Sequence, residues 1–500
     1  MRAALVLLLA LVAPALGADV PQTSPDMWSR VRGVQPKAVD LKPTPSPTAP
    51  PKLALKECLE LAFKQNAGFR QNLAQLLDAR QNLWVAAQAT FYTATGSAER
   101  QKNPGGDAGD SFAAGFVTRW ENVTGGSFNG VVSSGTQDIV GSILSQRPSF
   151  DLSYDQPLLR GAGLASSRSE RLRSARNDLC TQELSFYDSS QQLAQNLIAD
   201  YCDVVLARGE VDIAQQSVDR AKKGYDINYA KFTGEGMKRP DEKWVTQVAE
   251  IDVDQSRLSW EQSKQDLISR QQAYRDAVDS LLLDMGYAPG STPELTTTIP
   301  HTPQDYDVEA LVKQALAEST QLARLDLNRE DAVASLRIAR SEARPDLIAS
   351  LGVTDLGETL EGTTLSTGWM AGLRVEVPLL DRSRTENIDH SVRALAVLDQ
   401  QTVAARDQVT QEVQRQIRSA ASTRARMDIG KQALALAQKN RDAAQGMYDE
   451  GLSDYLRVMD ADSRLVQAQS SLLQEQVQYF LTTIRVRRAL GEDITQGLPE

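Results

Sequence analysis

The chain is 500 residues long and carries a formal net charge of −11 at neutral pH, which argues against nucleic acid as a partner because nucleic acid attracts basic surfaces. Hydrophobic residues at 41% suffice for packed cores, and 3 cysteines with 2 histidines make neither a disulfide framework nor a zinc-type ligand set. No phosphate loop, nucleophile elbow or dinucleotide fingerprint is present, so the sequence points to no enzyme and implies no cofactor or metal.

Residues 1–17 read as a signal peptide, with Arg2 as the positive start, an apolar run over 3–12, and Ala15-Leu16-Gly17 as the cleavage site. No Cys follows that site. Beyond it no apolar run approaches the length of a membrane-spanning helix. A chain exported in this way is either soluble or enters a membrane as β-strands, whose signal is far weaker. Residues 18–52 form a Pro-rich leader, expected to be extended.

A first repeat is expected over 53–288. It opens with a helix from Leu55 to about Ala87, its seam marked by Leu59, Ala62, Phe69 and Leu73. Thr90 to Gly96 suits a strand. The stretch 97–148 is rich in Gly, Ser, Asn and Asp and too long for a simple connector, with 116–120 and 128–132 suited to an extra hairpin. Asn122-Val-Thr124 matches a glycosylation sequon, a tripeptide common by chance. Phe150 to Leu158 alternates cleanly, and Pro157-Leu-Leu ends that strand, where a fixed φ and a missing N–H suit a strand end and the start of a helix. The chain then predicts one helix from Ser166 to Phe232, with apolar residues near the 3.5 period of a coiled coil. Cys180 and Cys202 fall on it roughly 33 Å apart by helical rise, so they do not pair and read as small buried apolar side chains. Gly234 to Pro240 makes a turn, and a return helix runs from Asp241 to about Met285.

After a linker over 289–306 the same order recurs over 307–492, before a short tail at 493–500. A helix from Asp307 to about Ala343 precedes strands at about 346–354 and 369–378. Pro378-Leu-Leu stands where Pro157-Leu-Leu stood. One helix of about 95 Å follows without a proline, then a turn at Tyr448-Asp-Glu-Gly451-Leu452-Ser453-Asp454, with Gly451 suited to the left-handed conformation that ends a helix, and a return helix to about Leu490. This is an internal duplication. The fold class expected is mainly α with β: long coiled-coil hairpins plus four short amphipathic strands per chain. Four strands cannot close a barrel, and open edges are forbidden in lipid, so several copies must pool them; three give twelve.

The arrangement resembles the TolC family of outer-membrane efflux proteins over about residues 50–495. The run LALKECLELAFKQN at 53–66 is similar to the family's opening helix. Asp155-Gln-Pro157-Leu-Leu is similar to its strand-to-helix junction, as is Pro378 in the second half. Tyr448-x-x-Gly451-Leu-x-x-Tyr-Leu-x-Val458-x-Asp460-Ala461 is similar to the turn and returning helix of its second repeat. The resemblance implies a homotrimer with a twelve-stranded barrel in the outer-membrane lipid and a helical tunnel in the periplasm. It implies docking onto a periplasmic adaptor and an inner-membrane pump of RND, ABC or MFS type, and passive export of small toxic compounds or polypeptides. Tyr448 matches a latching tyrosine and Asp460 an acid of the constriction; Arg457 stands where another acid is usual, and Ser453 where a latching arginine is usual. A ring of Arg457 and Asp460 is less cation-selective than a double carboxylate ring. Gly234, Gly236, Lys238 and Arg239 at one turn, and Gly451, Leu452 and Ser453 at the other, are the expected adaptor contacts, and 97–148 is expected to face outside the cell. The competing reading is a soluble periplasmic coiled-coil adaptor or scaffold, which explains the helices and the signal peptide but not paired strands at duplicated positions.

Overall fold

A computed structural model describes residues 52–88, 93–101, 111–122, 124–139, 142–233, 250–291, 293–295, 306–356, 366–377, 381–450 and 452–496. In chain order the elements are β1 (Lys52–Leu53), α1 (Leu55–Gln65), α2 (Ala67–Gln88), β2 (Thr93–Gln101), β3 (Ser111–Glu121), β4 (Ser127–Ile139), β5 (Ser142–Pro157), α3 (Ser167–Thr233), α4 (Glu250–Met285), β6 (Glu294–Leu295), α5 (Val308–Glu318), α6 (Thr320–Glu342), β7 (Asp346–Leu356), β8 (Ser366–Glu376), α7 (Arg382–Asp449) and α8 (Tyr455–Ala489). The signal peptide, most of the leader and the Gly234–Pro240 turn lie outside the described residues, as do Gly451 and Pro378. The chain forms two compact units, each drawing on both halves: one includes Gln75–Ser185 and Gln321–Ala405, the other 52–74, Phe186–Thr320 and 406–496.

The first unit holds one six-stranded antiparallel sheet in the order β2-β3-β4-β5-β7-β8. Four strands were expected. The segment 97–148 supplies all of β3 and β4, the extra hairpin for which 116–120 and 128–132 were suited, and lengthens β2 and β5. The cause is in the register. Trp120 pairs with Phe128, Phe128 with Tyr154, Tyr154 with Leu351, and Leu351 with Ala371, so a single apolar row crosses the sheet. Side chains alternate between faces with a period of two, so the neighbouring row is polar: Glu121, Ser127, Asp155, Ser350 and Gly372. The apolar face is bare on β7 and β8, with Trp369 83% and Leu373 71% exposed. In the same unit Arg173 and Asn177 of α3 share the carboxylate of Asp331 on α6, Asn177 Nδ2 donating at 2.6 Å.

The second unit is built on helix packing. α3 and α7, of 67 and 68 residues, contribute their later parts to it and contain no proline. Leu197, Ile198, Tyr201 and Cys202 of α3 pack with Leu281, Leu282 and Met285 of α4, Cys58 and Leu59 of α1, and Phe480 and Ile484 of α8 in one core. Each such residue contributes roughly 1.5–3 kcal/mol by burial. Burial lifts the Cys58 thiol to about 12 and raises that of Cys202 further, so both are inert apolar fillers. β1 and β6 add a two-residue parallel pairing that the sequence did not suggest.

The opening helix of each half is broken where one continuous helix was expected. Asn66 ends α1. Its Oδ1 accepts from Phe69 N at 2.9 Å, starting α2, and its Nδ2 donates to Asp284 O at 2.7 Å. Ser319 separates α5 from α6 at the corresponding place. Both breaks meet a glycine just past a return helix. Gly286 has φ +82°, and a Cβ there would lie 2.9 Å from Gln65 O; Gly491 has φ +78°, and a Cβ there would lie 2.8 Å from Glu318 O. Only glycine fits such a conformation beside a neighbouring backbone.

Candidate gate at the helical turn

The candidate site lies in the second unit, where α7 turns into α8. The end of α7 is closed by backbone bonds: Glu450 N donates to Gly446 O at 3.0 Å, and Leu452 N to Met447 O at 2.8 Å. The second is the long-reach bond of a helix C-terminal motif. This places Tyr448 on the last turn of α7 and Tyr455 on the first turn of α8. The two rings meet edge to face with centroids 5.5 Å apart, over Val458.

Tyr448 is 7% exposed, and its hydroxyl donates to Oδ1 of Asn228, a fully buried residue of α3. Lys231 Nζ sits 4.5 Å from the centroid of the same ring, a cation–π contact from the other hairpin. Burial, with smaller effects from Asp252, Tyr455 and Asp449, pushes the Tyr448 phenol up to about 12, so it stays a donor at physiological pH. Tyr455 is likewise pushed up to about 12, by burial and by Asp462. α3 comes close enough that a Cβ on Gly224 would lie 2.1 Å from the Tyr455 hydroxyl oxygen.

Asp462, about two turns beyond Tyr455 along α8, ties three helices. It accepts from Arg220 Nε of α3 at 3.0 Å and from Arg441 Nε of α7 at 3.3 Å. All three side chains are less than a quarter exposed. Close to this turn the two hairpins are thus fastened by Tyr448–Asn228 and by Arg220–Asp462.

The expected constriction residues lie on the opposite face of α8. Arg457 and Asp460 are exposed, while Tyr455, Val458 and Leu465 are buried. Asp460 Oδ2 is 2.9 Å from Arg464 Nη2, an ion pair one turn away. Arg457, Asp460 and Arg464 therefore form a stripe in which two cations flank one carboxylate. Leu452 is exposed at the turn, and Ser453 Oγ donates to Asp454 O at 3.4 Å. Pro157 ends β5, and Leu158 N beyond it donates to Leu347 O at 2.7 Å. The remaining candidates, Gly234, Gly236, Lys238, Arg239, Gly451 and Pro378, lie outside the described residues. Sequence reasoning missed Asn228, Asp462, Arg220, Arg441 and Gly224. The periodic signal that marks a seam does not say which polar residue of a distant helix meets it. No group of acids, histidines or cysteines suited to a metal occurs among the described residues.

Paired long helical hairpins fastened near one turn in one unit, and an antiparallel sheet apolar on one face in the other, define a class of fold. Comparison with known proteins agrees. Residues 311–492 match the family described as outer membrane efflux protein. The outer membrane protein TolC of Escherichia coli (strain K12) is 21% identical over 323 residues, covering 62% of this chain and 63% of that protein. The cation efflux system protein CusC of the same organism is 23% identical over 308 residues, 60% of this chain and 64% of that protein. The alignments thus span a little under two thirds of each relative. Among solved structures, CusC has a TM-score of 0.65 at 16% identity, over 88% of this chain and 92% of that one. The outer membrane protein VceC of Vibrio cholerae gives 0.65 at 15% identity, over 88% and 96%. Residues 311–492 thus match the outer membrane efflux protein family, the chain is similar in sequence to TolC and CusC, and it has the fold of solved outer-membrane efflux channels.

Proposed function

We propose that the chain is the outer-membrane exit duct of a tripartite export system, a passive homotrimeric conduit with most of its mass in the periplasm. The observation that carries this reading is an antiparallel sheet with one continuous apolar row, its apolar face bare on β7 and β8, in a chain that also carries helices of 67 and 68 residues. No described helix is long and apolar enough to cross a membrane, so the strands are the candidates for the lipid-facing part. A soluble adaptor or scaffold has no use for an exposed Trp369-Leu373-Val375 face. The conduit does no covalent chemistry, and its energy comes from an inner-membrane pump reached through a periplasmic adaptor. The cargo class is small toxic compounds or polypeptides.

In this reading Tyr448, held by Asn228, keeps the inner end closed, and Arg457 with Asp460 from three copies lines the constriction. Leu452 and Ser453, with the glycine turn at 451 and the basic turn at Gly234, Gly236, Lys238 and Arg239, meet the adaptor. The test is fractionation of the expressed chain. It is expected in the outer membrane, released only by detergent, as a trimer that conducts in planar bilayers. Recovery as a monomer in the soluble periplasmic fraction overturns the reading. For the constriction, Asp460→Ala is expected to weaken divalent-cation block of that conductance; unchanged block removes Asp460 from the lining.

A further inference from the structure

We propose that all six strands of each copy form the pore wall, so that three copies close an eighteen-stranded barrel, β8 of one copy pairing with β2 of the next. This deepens the exit-duct reading and rests on it. The sheet carries six strands, and every neighbouring pair is antiparallel. Five antiparallel steps separate β2 from β8, so these edge strands run in opposite directions, and a second copy can continue the sheet without a direction conflict. In lipid each open edge leaves a row of unpaired N–H and C=O groups, which a neighbouring copy alone satisfies without breaking the pleat.

Two observations count β3 and β4 as wall rather than as a flap outside it. First, they share the sheet's sidedness: the apolar row from Trp120 through Phe128 and Tyr154 to Leu351, and the polar row from Glu121 through Ser127 and Asp155 to Ser350, pass through them without interruption. At 11 and 13 residues they are also long enough to span. Second, their connecting turn is fastened to the segment that leads from β5 into α3. Asn122 Oδ1 accepts from Gly126 N at 2.6 Å and from Thr124 Oγ1 at 2.8 Å, while its Nδ2 donates to Tyr154 Oη at 3.1 Å. Gly163 N donates to Thr124 O at 3.0 Å, and Arg171 Nη2 binds Glu121 Oε2 at 2.8 Å. The amide of the sequon residue Asn122 is thereby occupied as the clasp of the turn. With strands about 4.8 Å apart and tilted by about 40°, eighteen give a wall about 36 Å across, against about 24 Å for twelve.

The test is disulfide cross-linking of the full chain in outer membranes, with Cys58, Cys180 and Cys202 replaced by Ser. One cysteine is placed in β2 (Thr95→Cys or Ser97→Cys) and one in β8 (Met370→Cys or Gly372→Cys), positions on the same face by register. A disulfide needs Cβ atoms about 3.5–4.5 Å apart, so only adjacent strands link. Covalent trimers on oxidation of a β2–β8 pair are expected. Linkage from β4 instead (Asn129→Cys or Val131→Cys with the same β8 positions) means a twelve-stranded wall and overturns the proposal while leaving the duct intact. A conducting trimer that links at neither pair overturns the proposal as well. A monomer overturns the duct itself. Electron microscopy of the unlabelled trimer in nanodiscs counts the strands directly, whatever the cysteine variants do to folding.

Discussion

Asp462→Asn isolates the fastening that joins the two hairpins of one chain. In the wild type one carboxylate holds Nε of Arg220 at 3.0 Å and Nε of Arg441 at 3.3 Å. Hydrogen bonds to charged groups contribute about 1.5–3 kcal/mol each; both bonds go to Oδ1, an acceptor the amide keeps, so the variant loses the charge that strengthens both bonds rather than the bonds themselves. It also leaves two guanidiniums facing each other without a counter-charge. Discounting for side chains that remain 17–24% exposed, the net loss is about 2 kcal/mol. If the hairpins part when the inner end opens, that free energy raises the open population about 30-fold. The assay is open probability of the purified trimer in planar bilayers. Arg441→Gln serves as the comparison, because it spares the Arg220–Asp462 bond that joins the hairpins and is expected to have a markedly smaller effect. Wild-type conductance in Asp462→Asn, or an equal effect of both variants, would refute the assignment of Asp462 as an inter-hairpin clasp.

Tyr448→Phe removes the donor to Asn228 in a buried setting, and is expected to destabilise the closed turn by about 1–3 kcal/mol, read as raised conductance with little change in trimer assembly. Gly224→Ala forces a methyl against the Tyr455 hydroxyl, with an expected cost of about 1–3 kcal/mol in thermal unfolding; adding Tyr455→Phe is expected to recover part of it, and no recovery would place the strain elsewhere. Asp200 has its carboxyl pushed up to about 7 by burial, by a hydrogen bond with Asp284 and by the nearby charges of Asp284 and Asp203. Because the folded value lies above the unfolded 3.8, the folded state holds the extra proton, and stability from this group is present at low pH and lost as pH rises through about 7. Melting temperatures measured from pH 5 to 8 are therefore expected to fall more steeply for the wild type than for Asp200→Asn, and parallel curves would contradict the shift.

The long helices were legible because a coiled-coil seam repeats over many turns and nothing else produces that pattern; α3 was expected over 166–232 and is found at Ser167–Thr233. The strands were less so. Phe150 to Leu158 alternates without fault, but of Ser111–Glu121 and Ser127–Ile139 only the cores at 116–120 and 128–132 were legible as a hairpin, because Gly, Ser and Thr dilute the apolar positions of the rest. The break at Asn66 was invisible because its cause is the Asp284 carbonyl, 218 residues away. At the turn, Tyr448 was found from the local run of residues around Gly451. Its acceptor Asn228 was not, since a polar residue on a helix face carries no mark of the hydroxyl it will meet.

The matching glycines have a consequence for how such a chain could arise and be rebuilt. Gly286 seats against Gln65 within the first repeat, and Gly491 against Glu318 within the second, so neither half borrows the other's backbone to set its bend. A gene encoding one half twice, or the halves in exchanged order, would keep both bends intact. Shortening a return helix by even a single residue would rotate its glycine away from the carbonyl it accommodates, so length changes in these arms are expected to be tolerated only at the turns far from that joint.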